Sequence, residues 1–308
     1  DFITMYKTPE AAAEVTLQPV DILGVDAAIL FSDILVIPEA MGMELQFTEG
    51  KGPVFPDPIR KNEQVSGLRP VEPESDLKFV MDAIRLLRKE LNGRVPLIGF
   101  SGAPWTLATY MVEGQGSKNF LEIKKWRFAN PENLQLLLKK ITDAVIAYLK
   151  AQTSAGAQAL QLFDTWAGIL DPEGFREFAL PHVKRIIEEV RTPGIPVIYF
   201  AKGAGPWLDA LAECDADVLG IDWTMDIGAV RSAVGHRFAL QGNLDPTALF
   251  SSPGVIRSEV KKILQKFGNG SGHIFNLGHG ILPKTPVDNA RAFIKSVKEE
   301  SRAFHREI

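Results

Sequence analysis

The chain has 308 residues, 45% of them hydrophobic, which is enough for one large α/β domain or two ordinary ones with a sizeable core. Lys and Arg number 34 and Asp and Glu 38, a formal net charge of −4, so the balance points to neither a nucleic-acid nor a membrane surface. The single cysteine, Cys214, excludes an internal disulfide and a cysteine-rich zinc site and fits a reducing compartment; no apolar run approaches the roughly 20 residues of a membrane-spanning helix, and no signal peptide is visible.

Thr8, Pro9 and Glu10 read as a helix N-cap, first-turn proline and acidic first turn, opening a helix that Pro19 should end or kink. Ala27 to Phe31 reads as a buried strand, broken by Ser32 and Asp33. A carboxylate at the mouth of a buried strand is costly unless it caps the next turn or something uses it. Met43 to Phe55 alternates as a hairpin around Gly50-Lys51-Gly52, and a proline-rich crossing follows through Pro56, Pro58, Pro70 and Pro73. Residues 43–75 together are too long for an ordinary connection and read as an excursion over the strand ends, serving as a lid or as an oligomer arm.

Leu77, Val80, Ala83, Ile84, Leu87 and Leu91 recur at helical spacing and stop at Gly93. Val95 to Phe100 is the next strand, running into Ser101, Gly102 and Ala103, whose small side chains let the backbone come close to a partner. Pro104 then opens the helix that carries Tyr110, and Glu113 to Ser117 reads as a flexible polar segment. A long helix runs from Asn130 to the residue before Gly156, and Ala157 to Phe163 is a third strand with Asp164 and Thr165 at its mouth. Asp171 and Pro172 open a helix that Pro181 must kink. Strands follow at Pro196 to Ala201, Val218 to Ile221, Phe238 to Gln241 and His273 to Leu277, with helices between them; Thr285, Pro286 and Asp288 make a near capping box for the last helix.

Seven strands alternating with helices predict a parallel sheet, and no composition shift marks a boundary, so residues 1–308 read as a single domain. A closed (β/α)8 barrel of TIM type needs eight strands. Because the chain opens at Asp1 rather than Met, the economical expectation is such a barrel with its first strand upstream; an open doubly wound sheet also fits seven. Asp33, Thr165, Lys202, Asp222 and His279 each follow a strand, where ligands of parallel α/β proteins sit. Taken singly, each has a plainer role: Asp33 and Asp222 as turn caps, Thr165 as a helix cap, Lys202 as a loop charge, His279 as a donor to a local carbonyl. Tyr110 reads equally as a core tyrosine, Asp245 as a helix cap, Cys214 as an inert thiol, and His182, His236 and His305 as solvated.

Longer motifs narrow the choice. FSDIL at Phe31 to Leu35, FSGAPWTLATYMVEG at Phe100 to Gly114, QGNLDP at Gln241 to Pro246 and NLGHGILPKTP at Asn276 to Pro286 closely resemble the uroporphyrinogen decarboxylase family, in order along nearly the whole chain. The resemblance implies a (β/α)8 barrel, usually a homodimer, that decarboxylates the four acetate side chains of uroporphyrinogen III to give coproporphyrinogen III on the route to haem and chlorophyll. It implies no metal or organic cofactor, and a cytoplasmic enzyme, or a plastid one in a photosynthetic eukaryote. By position, Asp33 resembles the aspartate that binds the pyrrole N–H groups and serves catalysis, Tyr110 the tyrosine that contacts substrate, and Phe163 an apolar wall. Thr165 stands where the family has a substrate-binding hydroxyl, and His279 resembles the histidine that holds a carboxylate arm. The family's arginine-bearing pattern MRQAGR has no match here, so the chain as it stands is expected to be an incompetent catalyst. Two rivals follow: a porphyrinogen-binding barrel without catalysis, and a corrinoid-dependent methyltransferase. The methyltransferases bind zinc, but His279 stands where they place a cysteine, and Cys214 is not positioned to help.

Overall fold

The computed structural model describes residues 1–48 and 52–305. Seven strands form one parallel sheet: β1 (Ala28–Ile29), β4 (Leu97–Gly102), β5 (Ala159–Asp164), β6 (Val197–Ala201), β7 (Val218–Gly220), β8 (Ala239–Gln241) and β9 (His273–Ile274), hydrogen-bonded in that order. The remaining two, β2 (Gln46–Thr48) and β3 (Gly52–Val54), pair antiparallel as the expected hairpin, whose turn residues Gly50 and Lys51 lie outside the described residues. The sheet curls with helices around it, an α/β fold of TIM-barrel type, and β1 and β9 are its two edges.

Consecutive parallel strands need a crossover, and the apolar stripes on the intervening helices supply the packing that makes each crossover stable. On Pro131–Ala155 the residues Leu134, Leu137, Leu138, Ile141, Val145, Tyr148 and Leu149 are all buried, and Gly156 ends the helix at a φ of 122°. Pro181 breaks its helix as expected, leaving Pro172–Phe178 and Leu180–Val190. Pro19 ends the α-helix Pro9–Gln18 as expected, and the chain continues as a π turn at Pro19–Leu23 that stops at Gly24, at a φ of 69°. The capping box expected before the last helix does not form: Pro286 is the N-cap of Val287–Glu300 and the Thr285 hydroxyl is unpartnered.

The strand expected from Ala27 to Phe31 is only two residues long, and the reason lies in two polar side chains from elsewhere. Leu30 N–H donates to Ile98 on β4, and Phe31 N–H, facing the other edge of β1, is taken by the Thr16 hydroxyl at 2.8 Å. On the facing strand the Gln152 amide takes both backbone groups of Phe100, each at 2.8 Å. A Cβ at Gly99 would fall 2.2 Å from that amide, so only glycine fits there. With its backbone partners taken, the chain leaves the sheet at Phe31 and delivers Asp33 to the strand mouth. Being at the edge also exposes Ile29 (41%), as it does Ile274 (43%) on β9. β9 likewise stops early, and Leu277 makes only an isolated bridge to Leu244.

The excursion at 43–75 is tied down along its length. Phe55 N–H donates to Gly114 and Ile59 N–H to Met111, at the end of the helix Pro104–Glu113. Val65 on the short helix Asn62–Gly67 is fully buried, and the Lys140 ammonium reaches the carbonyls of Ser66 and Leu68. The segment read as flexible, Glu113 to Ser117, is pinned too, Gln115 bridging to Val54 and the Ser117 hydroxyl accepting from Phe120 N–H.

Candidate active site

Asp33 leaves the sheet just after β1 and is half-buried. Its Oδ1 accepts the Leu35 N–H at 2.7 Å, so the turn-capping role is real; Oδ2 has no protein donor among the described residues. Burial pushes the carboxyl above its ordinary range, opposed by the Leu35 N–H and reinforced by the nearby Glu39. Behind it sit three buried hydroxyls, Ser32, Tyr6 and Tyr148, with Ser32 placed against the Tyr148 hydroxyl. Burial raises both phenols; for Tyr6 the charges of Glu39 and then Asp33 add to it, and for Tyr148 the Ser32 contact opposes it while the charge of Asp33 adds.

Tyr110 faces the same carboxylate. Its hydroxyl is raised first by burial and also by the charge of Asp33, and its ring lies 5.9 Å from that of Trp166. Trp166 in turn packs on Phe120 at 4.7 Å, and its buried indole N–H, set toward the Tyr110 hydroxyl, opposes the rise that burial gives that phenol. Thr165, next to it, is half-exposed and its hydroxyl bonds to no described residue, so it does not cap the short helix Ala167–Ile169. Asp33, Tyr110 and the Thr165-Trp166 corner therefore form one group.

A second group follows the sheet round. Phe163 stands between Phe100 (5.6 Å) and Phe200 (6.3 Å) in a run of apolar rings. Phe200 leads to His279 at 6.2 Å, which meets Trp223 edge-on at the same distance. No carbonyl takes the His279 ring among the described residues, and burial, with the Lys202 charge, lowers its basicity. The flanking glycines differ: a Cβ at Gly278 would lie 2.4 Å from the Trp223 nitrogen, while Gly280 faces open space. A cleft of about 400 Å³ opens behind Trp223, lined by Asn243, Leu244 and Lys266.

One residue at this face was passed over as a strand-mouth neighbour of Thr165. Asp164 is completely buried; Thr106 Oγ1–H donates to one oxygen at 2.6 Å and the Tyr199 hydroxyl to the other at 2.8 Å. Burial raises its carboxyl to about 6 against these two bonds. Thr106 also accepts the Trp166 N–H, so Asp164 fixes the loop on which Thr165 and Trp166 stand. Its position at the end of an apolar strand was the available signal.

Other residues settle into plainer places. Asp222 is buried and accepts from Gly203 N–H and Thr224 N–H, and Asp245 caps Pro246–Phe250, both as turn and helix caps should. Cys214 is buried, and burial raises its thiol to about 11, which leaves it inert. His236 is exposed, but His182 and His305 are not the solvated residues expected. His182 lies between the Thr142 hydroxyl and the Gln135 amide because its helix packs on Pro131–Ala155, and His305 meets the Gly270 carbonyl at 2.6 Å. Among the described residues no three His, Cys, Asp or Glu side chains converge as a metal site would require.

A family model described as uroporphyrinogen decarboxylase (URO-D) matches residues 1–300. The chain belongs to the uroporphyrinogen decarboxylase family. Among curated relatives, a uroporphyrinogen decarboxylase of Hahella chejuensis is 52% identical over 309 aligned residues, covering 99% of this chain and 87% of the relative. One from Actinobacillus succinogenes is 49% identical, covering 99% and 88%. These bacterial relatives give no support to the plastid option. Among solved structures, a methyltransferase from Methanosarcina mazei superposes with a TM-score of 0.82 at 24% identity, covering 96% of this chain and 86% of that one. A B12-independent methionine synthase from Shewanella reaches 0.62 at 11% identity, covering 96% and 89%. At such identities these two show the fold alone. The family membership fits a decarboxylase acting on a porphyrinogen, and no helix among the described residues is long and apolar enough to cross a membrane.

Proposed function

We propose that this chain is a carboxy-lyase that removes the four acetate carboxyl groups of uroporphyrinogen III to yield coproporphyrinogen III, with Asp33 as its electrostatic centre. The observation that carries the proposal is the free Oδ2 of Asp33, an acceptor held in an apolar strand mouth with its partner oxygen already fixed by Leu35. A ring of pyrrole N–H donors is the complementary partner. Tyr110, Phe163, Thr165 and His279 are the other residues we assign to the substrate.

The chemistry gives Asp33 its reason. A pyrrole acetate loses carbon dioxide once its electron pair has somewhere to go. A proton added to the ring carbon beside the acetate makes an iminium-like cation; the bond to the carboxyl breaks toward the ring and leaves an exocyclic methylene. A proton then adds to that methylene and the ring C–H proton departs, so each cycle takes up one proton and releases one carbon dioxide. A fixed negative charge at the pyrrole nitrogens stabilises the cation more than the neutral ring, and does so more strongly where water is excluded. The same scheme needs no metal or organic cofactor.

The family resemblance supports a homodimer with the single barrel of residues 1–308 as its unit and 43–75 covering the strand ends. Sedimentation at micromolar concentration showing monomer alone would remove the dimer. The activity is tested by anaerobic incubation of uroporphyrinogen III with the chain, alone and extended at its start by the MRQAGR-bearing segment of a relative. Chromatography resolving hepta- to tetracarboxylate products in either sample upholds the proposal. Binding without product in both would leave a porphyrinogen-binding barrel instead.

A further inference from the structure

Lys202 follows β6 and carries its ammonium to 5.4 Å from the centre of the Trp223 ring, on the loop after β7. His279, on the loop after β9, lies against the same indole. Three loops thus bring an ammonium and an imidazole to one aromatic plate. Lys202 is half-buried and forms no ion pair with a carboxylate among the described residues. The acid buried in this corner, Asp222, is already occupied by Gly203 N–H and by the backbone and hydroxyl of Thr224.

The arrangement is also rigid. Asp222 holds the Gly203 N–H at 2.5 Å and so fixes the residue beside Lys202. A Cβ at Gly278 would collide with the Trp223 backbone, so the loop carrying His279 is pressed directly onto the one carrying the indole. Two groups that repel when both are charged, held together beside the apolar rings of Phe200 and Trp223, are left in deficit of an anion. Lowered basicity of His279 under the Lys202 charge, partly offset by Asp222, is the electrostatic trace of that deficit.

We propose that Lys202 joins His279, whose hold on a carboxylate arm the family resemblance already implies, on that same arm, Lys202 giving the permanent charge and His279 a directional N–H, with Trp223 holding both in place. The identity of the arm's owner rests on the porphyrinogen reading above; the anion chemistry does not. A single carboxylate accepts two donors at once, one on each oxygen, and each donor lost from a charged hydrogen bond in such a setting costs roughly tenfold or more in affinity.

The experiment follows the His279 ring by NMR, assigned with a His279→Asn variant, while glutarate is added to the chain. The same is done for Lys202→Met and Lys202→Arg, and KM and kcat for uroporphyrinogen III are measured alongside. The expected result is a saturable shift of the His279 signal whose apparent Kd weakens about tenfold in Lys202→Met and is largely restored in Lys202→Arg. KM for uroporphyrinogen should rise by a similar factor in Lys202→Met, with a smaller change in kcat. A His279 response and a KM that ignore the loss of Lys202, with turnover intact, would overturn the carboxylate site and leave the enzymatic reading standing. A Lys202-dependent glutarate shift in a protein that never turns over uroporphyrinogen would do the reverse.

Discussion

Two of the aspartates at strand ends in this sheet, Asp33 and Asp164, have carboxyls raised by burial, and they differ in what is done with their oxygens. Asp164 has a hydroxyl on each oxygen and no exposure. Asp33 has one backbone N–H and an oxygen left over, beside the buried hydroxyls of Ser32, Tyr6 and Tyr148, none of which bonds to it. A buried polar group that the protein satisfies is part of its framework; one that it leaves unsatisfied at a strand mouth is waiting for a ligand. The contrast supports the proposed division between a positioning carboxylate, Asp164, and one that acts on the substrate, Asp33.

Substitution by asparagine at each site should pull the two apart. Asp33→Asn keeps the shape and removes the charge, so turnover of uroporphyrinogen should fall on the order of 10²-fold or more while the thermal midpoint barely moves. Near-normal turnover in that variant would end the electrostatic role. Asp164→Asn should do the opposite, lowering stability to urea by about 1–3 kcal/mol as one of two buried hydroxyls loses its acceptor. If Asp164→Asn leaves stability untouched but abolishes activity, the distinction between the two carboxylates collapses.

The contrast was only half legible in the sequence. Strand mouths ending in polar residues located Asp33, Thr165 and His279, because a buried parallel strand reads as an apolar run and its end as the break. The partners of Asp164 could not be read this way: Thr106 is 58 residues distant and Tyr199 is 35, and only the closed packing of β5 and β6 on the helix Pro104–Glu113 brings them together. The two-residue length of β1 was equally hidden, since it depends on Thr16 and Gln152 intercepting backbone groups from other elements. Local pattern gives the direction of a chain, while the place where it leaves a sheet is decided by groups remote in sequence.

Acid should sharpen the difference in activity. In the proposed role Asp33 is ionised, and burial raises its carboxyl, so activity should be lost as pH falls through a value above that of an ordinary aspartate. The acid limb of kcat/KM for uroporphyrinogen should therefore sit at higher pH than a solvated carboxylate would give, and it should vanish from the residual activity of Asp33→Asn. An acid limb that persists in that variant belongs to another group. His279→Ala, which loses one carboxylate donor and keeps Asp33, should leave this limb in place and raise KM about tenfold.

The smallest effect, and the most specific to Asp164, lies in stability against pH. A carboxyl raised from 3.8 to about 6 on folding stabilises the protein fully below the lower value, and that contribution is lost as pH rises through about 6. His182 and His273 run the other way: burial lowers each from 6.5 to about 4, so their contribution is present above 6.5 and lost as pH falls toward 4. Over the same window the three partly cancel in the intact chain. Asp164→Asn removes one side of the cancellation, so its urea midpoint should fall more steeply between pH 6.5 and 4 than that of the unaltered chain. The two curves run parallel if the lost hydrogen bond alone matters, but they lie closest near neutrality and separate in acid if Asp164 takes up its proton on folding. Parallel curves across pH 7, 6, 5 and 4.5 would mean that Asp164 is ionised throughout, and that Thr106 and Tyr199 hold its charge as firmly as Leu35 and a bound macrocycle are proposed to hold that of Asp33.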